Sequence, residues 1–207
     1  MGHFLTAKIL KVEVDKIYLY PLGGISKFFL PLNSSSIKEL IILLAGPTAQ
    51  VLAKLSLITI IPKYKELICI YHYGILIFNL LPIYPLDGGK LLHIILTNFM
   101  PYKNSYKISI YISYLFIIIY LLLSWPLKLN SLIITTFLIL KVYKEQEQTN
   151  YIYEKFILER YLNNYKFKNS KLVNNSNKFY KNNRHIIKQN NAYILEKDYL
   201  IKKYEKN

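Results

Sequence analysis

Asp87 follows Pro85 by two residues and stands directly before Gly88 and Gly89, just beyond an apolar run from Leu67 to Leu81. A carboxylate at the end of such a run is costly unless it binds something, which makes Asp87 a candidate ligand or catalytic group. Taken alone, it reads first as an interfacial turn aspartate whose glycines supply positive φ. His3 stands in the segment Met1-Gly2-His3-Phe4-Leu5-Thr6-Ala7, which opens abruptly and reads as the middle of a helix; by itself it is unremarkable. Asn79, in the same apolar run, carries a side-chain amide that both donates and accepts.

The other polar groups take plainer readings. His72 sits among tyrosines in an apolar run and His93 follows the Asp87 segment, so both are expected to be packed or interfacial. His185 lies in a basic tail and is expected to be solvated. Cys69 is the single cysteine; it lies in an apolar stretch and reads as a small buried hydrophobe, which excludes a disulfide framework or a cysteine zinc site within the chain. Glu13, Asp15 and Glu39 are the carboxylates nearest His3 in sequence, and none is assigned a catalytic role.

The elements that must position these groups are membrane elements. Of the 207 residues 53% are apolar, gathered in runs. Leu40 to Ile61 has roughly the ~20 residues that cross a bilayer core, with Ala45, Gly46, Pro47, Ala49 and Ala53 offering close packing to a neighbour. Lys54 interrupts that run and is expected to face the bundle or snorkel. Leu67 to Leu81, Ile108 to Trp125 and the shorter Ser131 to Val142 are further runs. Between the first and second of these last three, Pro82 to Gly89 is expected to be a broken, non-helical segment lining a cavity. Alternation over Lys11 to Leu32 predicts two short strands around Pro21-Leu22-Gly23-Gly24.

Basic residues outnumber acidic ones by 27 to 12, a formal net charge of +15. From Lys144 to Asn207 there are 14 basic and 7 acidic residues, a net +7 on a polar tail behind the last apolar run, as expected for a cytosolic segment. No nucleic-acid fold is legible, so no nucleic-acid partner is expected. The tail shows a helical patch at Tyr153 to Tyr161 and a strand-helix pattern near Ala192 to Tyr204, and is either a small module or partly disordered. A secretory signal pattern is absent from the first residues. A transporter is disfavoured, because the broken segment has no counterpart in a second half. The fold class expected is a polytopic α-helical membrane protein with about four spans, an N-terminal helix stub, a short β-hairpin and a small polar C-terminal tail. Residues 1–143 form its membrane domain and 144–207 its basic cytosolic tail.

Asn79, Pro82, Pro85, Asp87, Gly88 and Gly89 together resemble the N-x-x-P-x-x-P-x-D-G motif of the site-2 protease family of intramembrane zinc metalloproteases. Met1-Gly2-His3, with the small residues behind it, resembles the last three positions of that family's H-E-x-G-H motif. The hairpin, the Ala45-Gly46-Pro47 span and the Asn79-to-Gly89 segment follow in the order and spacing of the family's sporulation branch, over about residues 1 to 145.

The resemblance implies an intramembrane zinc metalloendopeptidase, with Zn2+ held by His3, Asp87 and a first histidine, and a fourth position left open. It also implies that the chain is N-terminally incomplete, the first histidine and the general-base glutamate belonging to the two positions before residue 1. Regulated cleavage of a membrane-associated substrate, a sporulation sigma-factor precursor in that branch, and inhibitory membrane-protein partners follow from the same resemblance. The tail is then a degenerate CBS-like module, which suggests nucleotide sensing. The alternative is a non-catalytic remnant or scaffold of the same fold. Residues 1–207 alone are expected to bind metal weakly and to turn over little or no substrate.

Overall fold

The computed structural model describes residues 2–12, 14–20, 23–28, 30–126, 128–189 and 192–205. The chain opens on α1 (Gly2–Ile9), as the abrupt start suggested. Its last turn closes through the left-handed Lys11, φ 53°, with the Val12 N–H donating to the Ala7 carbonyl at 2.9 Å. Strands β1 (Val14–Tyr20) and β2 (Gly23–Phe28) then pair antiparallel, Tyr20 opposite Gly23 and Ile17 opposite Ser26. The expected hairpin is present, while Pro21 and Leu22 of its turn, and Glu13, lie outside the described residues.

Four apolar helices carry the body. α2 (Ser36–Ile60) and α5 (Tyr102–Leu123) are long and apolar enough to cross a membrane, and only 11% and 28% of their most apolar windows is buried. A soluble core helix would hide such a surface; these turn it outward, as a bilayer-facing helix must. α3 (Lys65–Leu80) and α6 (Leu129–Glu147) cover the other two apolar runs. At 1.5 Å per residue α3 rises only about 24 Å against ~30 Å of hydrocarbon, and α6 runs out into Lys141, Lys144, Glu145 and Glu147. Against about four expected spans, two helices meet both the length and the hydropathy requirement. Lys54 finds the Tyr73 hydroxyl at 2.9 Å and lies over its ring, the neighbouring-helix contact that a cation in an apolar run requires.

The broken segment is shorter than the sequence suggests. Only Leu81–Leu86 is irregular, and α4 (Asp87–Phe99) begins at Asp87 itself, so Gly88 and Gly89 occupy its first turn. Neither glycine adopts a left-handed φ. Their role is space: a Cβ on Gly88 would strike the Leu80 and Leu81 carbonyls, and one on Gly89 the Ile83–Tyr84 backbone. The loop thereby folds back over the helix start, where Ser113 of α5 accepts the Tyr84 N–H at 2.8 Å.

Residues beyond α6 pack into a small α/β unit rather than a disordered tail. α7 (Thr149–Leu162) and α8 (Glu196–Glu205) flank a sheet ordered β3-β4-β5 (Asn169–Val173, Asn183–Gln189, Ala192–Leu195), parallel then antiparallel. Its core joins Tyr153, Phe156, Ile157, Val173, Phe179, Ile187 and Leu200 with Tyr102 of α5, whose ring stacks on Phe156 at 4.1 Å between centroids.

His185 corrects its expected place. It is wholly buried, stacked on Phe179 at 4.2 Å, with Nδ1 at 3.0 Å from Glu196 and Nε2 accepting the Tyr180 N–H at 2.9 Å. The sequence pattern conceals this because His185 follows Asn182, Asn183 and Arg184 in a stretch rich in asparagine and lysine. Burial depresses His185 below the ordinary imidazole range, with the Glu196 hydrogen bond opposing. Burial alone would raise Glu196, yet the His185 hydrogen bond and the Arg160 charge outweigh it and hold the carboxyl low.

The tail unit grips the N-terminal ends of α2 and α5. Arg160 donates through Nε to Asn33 at 2.6 Å, Ser36 pairs with Asn182, and the Tyr102 N–H donates to the Phe179 carbonyl at 2.9 Å. Lys181, lowered by burial and partly restored by Glu39, forms an ion pair with that residue.

Candidate active site

His3 projects from the first turn of α1 and is fixed from two sides. Nδ1 donates to the Ile42 carbonyl of α2 at 2.9 Å. The imidazole lies directly on Gly46, where any Cβ would fall inside the ring. Gly2 allows the same closeness one residue earlier, since a Cβ there would collide with the Ala45 carbonyl and Ala49. A carbonyl can only accept, so Nδ1 carries a proton, which leaves Nε2 as the nitrogen that can bind a metal.

Asp87 lies beside Nε2. Nε2 of His3 lies 3.3 Å from Oδ2 of Asp87, and the side chains are 26% and 20% exposed, so the pair is enclosed yet reachable. The carboxylate stands in the first turn of α4, where the helix dipole favours negative charge.

These two donors fit a zinc ion. Ligand bonds of about 2.0–2.1 Å in tetrahedral array place neighbouring donor atoms roughly 3.3 Å apart, which is the separation found here. The Ile42 carbonyl is the outer partner that a metal-binding histidine ordinarily has on its other nitrogen. Among the described residues, no group of three or more His, Cys, Asp or Glu side chains gathers in one place.

The pair opens on a cleft of about 300 Å³ between α1, α2 and the end of α3. Its polar lining comprises His3, Asp87, Asn79 and Gln50; Gly46, Ala49 and Ala53 line its α2 side and Gly2 its α1 side. Sequence reasoning brought His3, Asn79 and Asp87 forward, and all three line this cleft. It missed Gln50, whose Nε2 donates to the His72 carbonyl at 3.2 Å. The signal was available, a carboxamide inside an apolar run one helical turn after Gly46. It also missed Ser113, whose role rests on a long-range contact that no local pattern encodes.

The remaining candidates lie elsewhere. Glu39 points to the tail, accepting from Ser34 Oγ at 2.9 Å and pairing with Lys181. His72 is buried in α3. His93 is buried against the rings of Tyr84, Tyr102 and Tyr106, with Nδ1 unpartnered among the described residues. Cys69 is half-buried and free.

Residues 63–123, which hold Asn79 and Asp87, match peptidase family M50. Stage IV sporulation protein FB of Bacillus subtilis (strain 168) is 29% identical over 170 residues, covering 78% of this chain and 59% of that protein. A zinc metalloprotease of Methanocaldococcus jannaschii is 31% identical over 157 residues, covering 71% of this chain and 45% of the relative. The chain therefore spans about half the length of the curated relatives it matches. Over residues 63–123 this chain is thus similar to peptidase family M50, and along most of its length it is homologous to a sporulation protein and a zinc metalloprotease.

Proposed function

We propose that the chain forms the body of an intramembrane zinc endopeptidase that cuts a membrane-associated protein within or beside the bilayer. The observation that carries this reading is the approach of His3 Nε2 to Asp87 Oδ2, 3.3 Å apart, at the head of a cleft between apolar helices. His3 and Asp87 would hold the metal, joined by a histidine four residues before His3. When bound, zinc supplies Lewis acidity and an activated water for peptide hydrolysis. The Ile42 carbonyl and Gly46 keep the imidazole oriented. Asn79 orients the scissile peptide through its amide. α3 and α6 complete the set of spans, and the net positive tail of residues 144–207, a CBS-like module, lies in the cytosol. The similarity to a sporulation protein favours a sigma-factor precursor as substrate and membrane proteins as inhibitors.

A second reading, a scaffold of the same fold that does not cleave, is favoured by one observation: among the described residues only two metal-binding side chains converge. The two readings separate in one experiment. Residues 1–207 are expressed with a candidate precursor, alone and behind a helix that places His-Glu at the two positions before Met1. The peptidase reading expects little cleavage in the first case and clear cleavage in the second, abolished by Asp87→Asn. Cleavage that survives Asp87→Asn would sink it.

A further inference from the structure

We propose that Gln50 is a substrate-binding residue of the cleft, accepting a backbone N–H from an unwound segment of the polypeptide to be cut. This rests on the peptidase reading above and names a residue and a contact which that reading leaves open.

The His3–Asp87 pair stands at the head of the cleft. A peptide bond cut there must expose its backbone, which a helix keeps closed in its own hydrogen bonds, so the segment to be cut has to unwind. Unwinding frees backbone N–H and C=O groups, and in water-poor surroundings each unpaired group costs several kcal/mol. A cleft that takes such a segment must supply partners.

Apart from the His3–Asp87 pair, the cleft offers two polar side chains, both carboxamides: Asn79 on α3 and Gln50 on α2. Gln50 is half-buried in a helix whose hydropathy suits a membrane span, a setting in which a polar group is retained at a cost. Its amide is oriented, not idle. Nε2 donates to the His72 carbonyl at 3.2 Å, which fixes the plane of the group and leaves Oε1 as an acceptor. Ala53, one turn on from Ala49, is the small residue beside Gln50 on the same wall of the cleft, so a peptide backbone can approach α2 there and reach that oxygen.

The test uses the 207-residue chain in nanodiscs. The probe is a fluorescent apolar peptide of membrane-spanning length with a central Ala-Gly-Ser-Ala segment, together with a matching set in which one central amide is replaced by an ester, removing its N–H. Gln50→Met keeps length and shape and removes the amide. The expected result is about tenfold weaker binding for Gln50→Met, about 1.4 kcal/mol, and a similar loss for one ester probe on the unaltered chain. Combining that ester with Gln50→Met should add little, as for two groups of one hydrogen bond. The ester arm leaves the protein untouched, so it reports even if Gln50→Met folds poorly. Binding that Gln50→Met and every ester leave unchanged would overturn the role of Gln50 alone. Failure of the unaltered chain to bind the probe would overturn the peptidase reading with it.

Discussion

The imidazole of His3 rests on Gly46, in space that a single methyl group at that position would occupy. Hydrogen bonding to Ile42 and contact with Gly46 together leave the ring one orientation, with Nε2 toward Asp87. Gly46→Ala is expected to displace the ring and weaken zinc binding by about 10-fold or more, the scale seen when a ligand's outer support is lost. Overpacking adds ~1–3 kcal/mol of destabilisation. Zinc titration of the purified variant checks this, and an affinity equal to that of the unaltered chain would show that the ring is not held by this contact.

Asp87 depends on a loop that is itself held from α5. Ser113 is fully buried, accepts the Tyr84 N–H at 2.8 Å and donates to the Ser109 carbonyl at 2.7 Å. Ser113→Ala leaves a buried N–H unpaired, at a cost of about 1–3 kcal/mol, and should loosen the placement of Asp87. Ser109 is as buried, but its hydroxyl returns only to its own helix, at the Ser105 carbonyl. Zinc affinity should fall with Ser113→Ala, recover with Ser113→Thr and change little with Ser109→Ala. Equal losses from Ser109→Ala and Ser113→Ala would point to general helix packing instead.

Much of this site was legible before the fold was known, and for identifiable reasons. The Asn79-to-Gly89 motif drew attention to Asp87 through its likeness to a family motif, and Asp87 lines the cleft with Asn79. The hairpin, α1 and the apolar helices followed from period and hydropathy. What escaped was set by contacts distant in sequence. Gly88 and Gly89 lie inside a helix, because the Leu80–Tyr84 backbone crosses their Cα atoms and not because the chain turns there. Likewise, His185 is buried through partners on α8 and in the Phe179–Tyr180 segment, so the surrounding lysines and asparagines gave no hint of it.

Acid should loosen the tail unit. His185 is depressed in the folded chain, so below its ordinary value of 6.5 the unfolded chain binds a proton that the folded chain refuses. Glu196 is also depressed, so below its ordinary 4.5 the unfolded chain again binds more. Both groups make stability fall as pH drops, beginning near 6.5 and steepening below 4.5. Hydrogen exchange across β3, β4 and β5 should quicken over that range, with the upper part of the dependence flattened in His185→Gln. Exchange that slows in acid would contradict the sign.

The central claim is that His3 and Asp87 share a metal. Zinc bound per chain, measured by elemental mass spectrometry at controlled free zinc, tests it most directly, with His93→Ala as the control for a buried histidine outside the cleft. Weak binding to the unaltered chain, shifted by more than ~10-fold in both His3→Ala and Asp87→Asn and unmoved in His93→Ala, is the predicted result. Binding curves for His3→Ala and Asp87→Asn that coincide with that of the unaltered chain would contradict it.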